Sequence, residues 1–207
     1  MSAHSHPSPL LLRRFAAGDL AIAPALVVEC HLETCRACAD AVSRAETEHG
    51  HALSRLPNAP LRPDALARAL DQLDVDAAPE RPFLGDVALT DALVRQGFHA
   101  RRFLGPDYWV APVRRTRQDG WRAYLLRAPA GTGIPAHRHL GQEYFQVLMG
   151  TVTDGERREA GDFVSGAPGD DHALQVTTDG PCACLIAAEH GAQWRGITRL
   201  LSPWLGI

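Results

Sequence analysis

Two groups of metal-ligating side chains stand out in this sequence, and they differ in kind. The first is His137-x-His139-x3-Glu143, framed by Gly131 six residues upstream of His137 and Gly150 seven residues downstream of Glu143. Side chains two apart on a strand leave the same face, so His137 and His139 share an interior if the segment is a strand, and Glu143 returns to that face on a later even step. Imidazole and carboxylate donors suit zinc, iron, manganese or nickel, and a metal open to solvent commonly keeps three or four such ligands. His172 is the expected fourth.

The second group is His31-x3-Cys35-x2-Cys38. On a helix, or across a helix end into the next helix, steps of four and three bring the side chains together. One imidazole and two thiolates then need one more donor to close a tetrahedral zinc shell. His6 is the expected donor, with His4 as the near alternative. A closed shell of this kind is a folding element and offers no open position for catalysis. Cys30 falls outside the spacing and is expected to be packed. Cys182 and Cys184 share one face of a strand, where they serve either as a redox pair or as small barrel residues.

The elements that must position these groups follow from periodicity and punctuation. Residues 8–18 read as a short helix capped by Ser8, with Pro9 in the first turn and Gly18 at the end. A second helix starts near Pro24, a third covers 37–53, and a fourth follows Asp64 with Leu66, Leu70 and Leu73 at helical spacing. Residues 74–83 are polar, proline-bearing and aperiodic, and they read as a linker. Residues 91–96 are expected to form one more short helix. Strands are expected at 108–113, 121–127, 143–152, 163–165, 172–177 and 182–187, with Asp154-Gly155 as a hairpin signal. Leu200, Leu201, Trp204 and Leu205 give the tail apolar weight, expected to pack on the barrel or on a second subunit. The fold class is therefore α+β and multidomain, with about four helices in a small zinc-binding bundle, then a β-barrel.

The 207 residues carry 45% hydrophobic content and a net charge of −3, ordinary for a soluble globular chain. All 21 basic residues are arginine. Near-neutral charge argues against direct nucleic-acid binding, and Arg114, Arg115 and Arg117 beside Gln118-Asp119-Gly120 read as a solvated loop. No run of about 18 apolar residues spans a membrane and no secretory leader is visible, so a cytoplasmic location is expected.

The spacing around His137, His139 and Glu143 is that of the first cupin motif, and Gly161-x6-Pro168-Gly169-x2-His172 resembles the second, with one extra residue before the proline and Val176 in place of a common Asn. The order of His6, Phe15-Ala16-Ala17-Gly18 and His31-x3-Cys35-x2-Cys38 resembles the zinc-binding anti-sigma domain. With a cupin behind it, the chain is similar over nearly its full length to the ChrR family of anti-sigma factors. The resemblance implies an anti-sigma helical domain over 1–76, a linker over 77–84 and a cupin over 85–207. It implies one structural zinc on His6, His31, Cys35 and Cys38 and a second on His137, His139, Glu143 and His172. The partner it implies is an extracytoplasmic-function sigma factor, released when the cupin senses singlet oxygen or an organic hydroperoxide. A homodimer through the cupin is a further expected association.

A metal-dependent cupin enzyme, a dioxygenase or isomerase with the zinc helices as an interaction module, is the competing reading. It needs an acid or base beyond the ligands. Asp170 and Asp171 sit in a turn, and Tyr144 points away from Glu143 on a regular strand, which disfavours it.

Overall fold

The computed structural model describes residues 5–71 and 83–194. The first helix, α1 (Pro9–Ala16), is capped by Ser8, whose hydroxyl accepts from the Leu11 N–H at 3.2 Å, and Gly18 turns the chain at φ +70° just beyond its end. Helix α2 (Ile22–Leu32) begins two residues ahead of Pro24, leaving the proline in the first turn, where its missing N–H is no loss. It carries buried Ala23, Leu26, Val27, Val28 and Cys30, so apolar side chains surround it and it must be covered on more than one side. Helix α3 (Arg36–Leu53) buries only Cys38, Val42 and Ala45, all within its first ten residues. Helix α4 (Ala65–Asp71) buries nothing, and α5 (Asp91–Gln96) follows Thr90.

The remaining elements are strands: β1 (Phe83–Leu84), β2 (Val87–Ala88), β3 (Arg102–Gly105), β4 (Tyr108–Pro112), β5 (Trp121–Ala128), β6 (Gly133–His139) and β7 (Glu143–Met149). After these come β8 (Thr151–Thr153), β9 (Arg157–Glu159), β10 (Phe163–Gly166), β11 (Asp171–Val176), β12 (Cys182–Glu189) and β13 (Ala192–Trp194). Two antiparallel sheets face each other, ordered β10-β7-β12-β5-β4-β3 and β13-β6-β11-β8-β9. This is the double-sheet cupin-like architecture that follows the helices, as the fold class anticipates.

Strand β12 shows how the layers divide. Cys182, Cys184, Ile186 and Ala188 point between the sheets, while Ala183, Leu185 and Ala187 point outward into a second core shared with Leu11, Leu26, Val27 and Val28. Ala123 and Leu125 on β5 repeat the outward pattern, with Tyr124 and Leu126 inward. The outer face of the six-stranded sheet is thus the floor on which α2 lies.

One expectation needs correcting. The single strand over 143–152 divides into β7 and β8, which belong to opposite sheets. Gly150 makes the break: its φ is +76° and the Pro181 carbonyl lies where a Cβ would stand, so only glycine fits. The Asp154-Gly155 hairpin does form, with Thr153 paired to Arg157 across three loop residues. The Gln118-Asp119-Gly120 turn is also present, with positive φ at Asp119 and Gly120. Of the expected linker over 77–84, residues 77–82 lie outside the described residues, and Phe83 and Leu84 form β1. His4, Leu73, Leu200, Leu201, Trp204 and Leu205 also lie outside them.

Two candidate metal centres

The helical group assembles from three places. His31 occupies the last turn of α2, Cys35 is the N-cap of α3, Cys38 lies in its first turn, and His6 stands just ahead of α1. Helix-end to helix-start is therefore how the steps of four and three converge. The donor atoms of His6, His31, Cys35 and Cys38 all lie within 4.8 Å of one another. His6 Nδ1 is 3.4 Å from His31 Nε2, 3.4 Å from Cys35 Sγ and 3.5 Å from Cys38 Sγ.

Those edges test the fit to an ion. Nitrogens at about 2.0–2.1 Å and sulfurs at about 2.3 Å from a tetrahedral zinc stand ~3.3 Å apart (N···N) and ~3.6 Å apart (N···S). The three separations match within about 0.2 Å. Burial and the neighbouring Cys35 push the Cys38 thiol up to about 12, so a thiolate here requires a cation. Cys30 is buried and places Sγ 3.0 Å from Thr90 Oγ1, a packed thiol apart from the group.

The barrel group draws on three strands and both sheets. His137 and His139 leave one face of β6, His172 sits opposite His137 on β11, and Glu143 opens β7. The expectation that Glu143 returns to the face of the same strand is incorrect, because the chain changes sheet between His139 and Glu143. Gly141 permits the crossing, since a Cβ there would lie 2.6 Å from the Glu189 carbonyl oxygen. His172 Nε2 is 3.0 Å from His139 Nε2 and 3.1 Å from His137 Nε2, and His139 Nε2 is 3.4 Å from Glu143 Oε1.

The proton inventory shows what this arrangement lacks. His137 Nδ1 donates to the Pro135 carbonyl at 3.1 Å, so its Nε2 presents a lone pair. One proton on His172 Nε2 can serve His137 or His139 but not both, and a cation among the three nitrogens resolves the conflict. The nitrogen edges are closer to the ~3.0 Å of ligands at right angles than to the ~3.4 Å of a tetrahedron, for donors about 2.1 Å from an ion. Burial pulls His137 down to about 4, lowers His139 and His172, and pushes Glu143 up to about 8. A cleft of about 250 Å³ lined by His139, Glu143, Asp154, Ser165, Asp170 and His172 opens onto the group.

Comparison with known proteins agrees with both halves. Residues 101–192 match the ChrR cupin-like domain family. Across the full length of both chains the sequence is 28% identical to the anti-sigma-E factor ChrR of Cereibacter sphaeroides. A chain of the crystal structure of Rhodobacter sphaeroides SigE in complex with the anti-sigma ChrR superposes with a TM-score of 0.72 at 29% identity, covering 91% of this chain and all of that one. The match thus ties residues 101–192 to the ChrR cupin-like domain family, and the chain as a whole is similar to an anti-sigma ChrR.

Of the polar neighbours that an enzyme would recruit, Asp170 and Asp171 line the cleft, while Tyr144 is turned away from it. Tyr144 stacks on Trp121 (5.8 Å, 3°) on the helix side of the sheet, opposite Glu143. Cys182 and Cys184 lie between the sheets with Sγ atoms 3.7 Å apart, both sealed from solvent. Sequence reasoning missed Ser5, Arg158 and Asp162, which hold the N-terminal segment on the barrel. Their contacts span more than 150 residues, and no local spacing could reveal them.

Proposed function

We propose that this protein is an anti-sigma factor that binds and inhibits an extracytoplasmic-function sigma factor through its N-terminal helices, and that its cupin senses oxidative stress and releases sigma. The reading divides the chain into an anti-sigma domain (1–76), a linker (77–84) and a cupin (85–207), acting in the cytoplasm without direct nucleic-acid contact. A cupin-mediated homodimer is part of it. The observation that carries it is the pairing of a closed sulfur-nitrogen donor set with an open nitrogen-oxygen set on a chain similar throughout to a named anti-sigma factor.

His6, His31, Cys35 and Cys38 would hold zinc as a cross-link, and His137, His139, Glu143 and His172 would hold a metal with positions open to small molecules. The four helical ligands fix the entry to α1 and the α2–α3 corner. Beyond that corner Leu53, Leu56, Leu61, Leu66 and Leu70 are each more than half exposed, an apolar stripe of the kind a protein partner covers. The cleft beside His139 and His172 gives singlet oxygen or a hydroperoxide access to the cupin ligands. Modification of one of them alters the barrel beneath α2 and weakens the grip on sigma. A coupling of about 3 kcal/mol corresponds to a roughly hundredfold change in occupancy.

The test uses the full chain from its native cells. About two zinc per chain, a co-purifying sigma factor and loss of inhibition in Cys38→Ser are the expected results. Absence of any sigma factor from the purified complex refutes the inhibitory role. Inhibition that oxidants leave unchanged refutes the sensing role alone.

A further inference from the structure

The residue just before His6 is held by the barrel. Ser5 N–H donates to Asp162 Oδ1 at 2.7 Å, the Ser5 carbonyl accepts from the Phe163 N–H at 2.9 Å, and Arg158 Nη1 donates to Ser5 Oγ at 2.8 Å. All three polar groups of one residue are therefore occupied by the β9–β10 corner. Asp162 is itself fixed, being buried and accepting from the Glu159 N–H at 2.7 Å through its other oxygen.

We propose that this corner is a clasp that positions the zinc ligand His6, so that the barrel sets how firmly the helical centre keeps its metal. His6 is the only one of the four donors outside the α2–α3 corner. A cavity of about 470 Å³ lies between the helical donors and the barrel, lined by His6, His31 and Cys35 on one side and Gln146, Leu148 and Gly161 on the other. The imidazole of His6 therefore has room to swing away once Ser5 is let go.

The clasp also joins the two centres. Strand β10 starts at Phe163, whose ring lies edge-on to His31 at 5.8 Å and whose N–H holds Ser5. It ends at Gly166, against which the imidazole of His139 packs. Four residues of strand span about 10 Å from the first to the last Cα. Along that length β10 is paired with β7, Phe163 opposite Gln146 and Gly166 opposite Glu143. A shift of His139 or Glu143 thus reaches the clasp through one short, fully paired ribbon. The inference deepens the proposed function and rests on the zinc assignment there.

Cobalt reads the helical centre separately, because only thiolate ligands give sulfur-to-cobalt charge-transfer absorption and the cupin set contains none. In full-length protein loaded with cobalt, Asp162→Ala and Arg158→Ala are expected to release the thiolate-bound metal to a chelator at least about tenfold faster than the parent, as loss of an outer-shell support typically does. The cupin d–d absorption and the circular dichroism should be unchanged. Asp162→Asn, which keeps one acceptor for Ser5, should fall between. Two outcomes overturn the proposal in distinguishable ways. If the parent shows no thiolate-to-cobalt band, the zinc assignment fails and the clasp with it. If the parent shows the band and both alanine variants keep it as tightly, the clasp alone fails. Should Asp162→Ala not fold, Arg158→Ala decides, since it leaves the two backbone bonds of Ser5 in place and removes, besides the contact to the Ser5 hydroxyl, only the exposed ion pair to Glu156.

Discussion

His139 reaches its position because Gly166 has no side chain. A Cβ on Gly166 would strike Cε1 and Nδ1 of the ring, and since φ at this residue is not positive the conflict is with the imidazole, not with the backbone. Gly166→Ala is therefore expected to weaken metal binding at the cupin about tenfold or more. Gly105→Ala is the control, because nothing lies within 4 Å of its added methyl. Equal cupin affinity in the two variants, by competition with a chelating dye, would count against the steric account. At this scale the sequence told much. His137, His139, Glu143 and His172 come together, as do His6, His31, Cys35 and Cys38, because donor type and spacing are local properties. What spacing could not tell was the support: Gly166, Gly141 and Asp162 act on residues far along the chain.

Among the elements, α5 depends on a side chain from α2. Glu33 follows α2 directly, and its two carboxylate oxygens accept from the N–H groups of Asp91 and Ala92 at 3.0 and 2.9 Å, while Thr90 accepts from Leu93. Three of the donors that a helix start leaves bare are thus satisfied, and a negative charge sits at the positive end of the α5 dipole. Glu33→Ala is expected to cost about 1–2 kcal/mol in urea unfolding and Glu33→Gln less, because the amide keeps one acceptor. A Glu33→Ala midpoint equal to the parent's would show that water replaces the cap. The helix start at Ser8 was readable from residue type. The sheet change between β6 and β7 was not, because a period of two says which side chains share a face while the chain stays in one strand. It says nothing about where a glycine lets the chain cross.

For the whole molecule, the arrangement of cores decides how it should unfold. Leu11, Leu26, Val27 and Cys38 from the helices, Leu93 from α5, and Leu125, Ala183 and Leu185 from the barrel belong to one contiguous buried cluster. The inner barrel core meets it across β5, β7 and β12, each of which contributes side chains to both layers. No layer can open without exposing its neighbour, so heat should unfold the chain in one transition and not as helices first and barrel later. Zinc held at the helical group as proposed would then stabilise the barrel as well. A ligand present at a thousand times its dissociation constant adds ~4 kcal/mol, or roughly 8–16 °C for a chain of this size. Calorimetry of zinc-loaded parent and of Cys38→Ser should each show a single endotherm, displaced downward in the variant. Two resolved endotherms, of which only the smaller moves when Cys38 is changed, would mean that the helices are a separate cooperative unit. The barrel could not then govern them through β10 and α2.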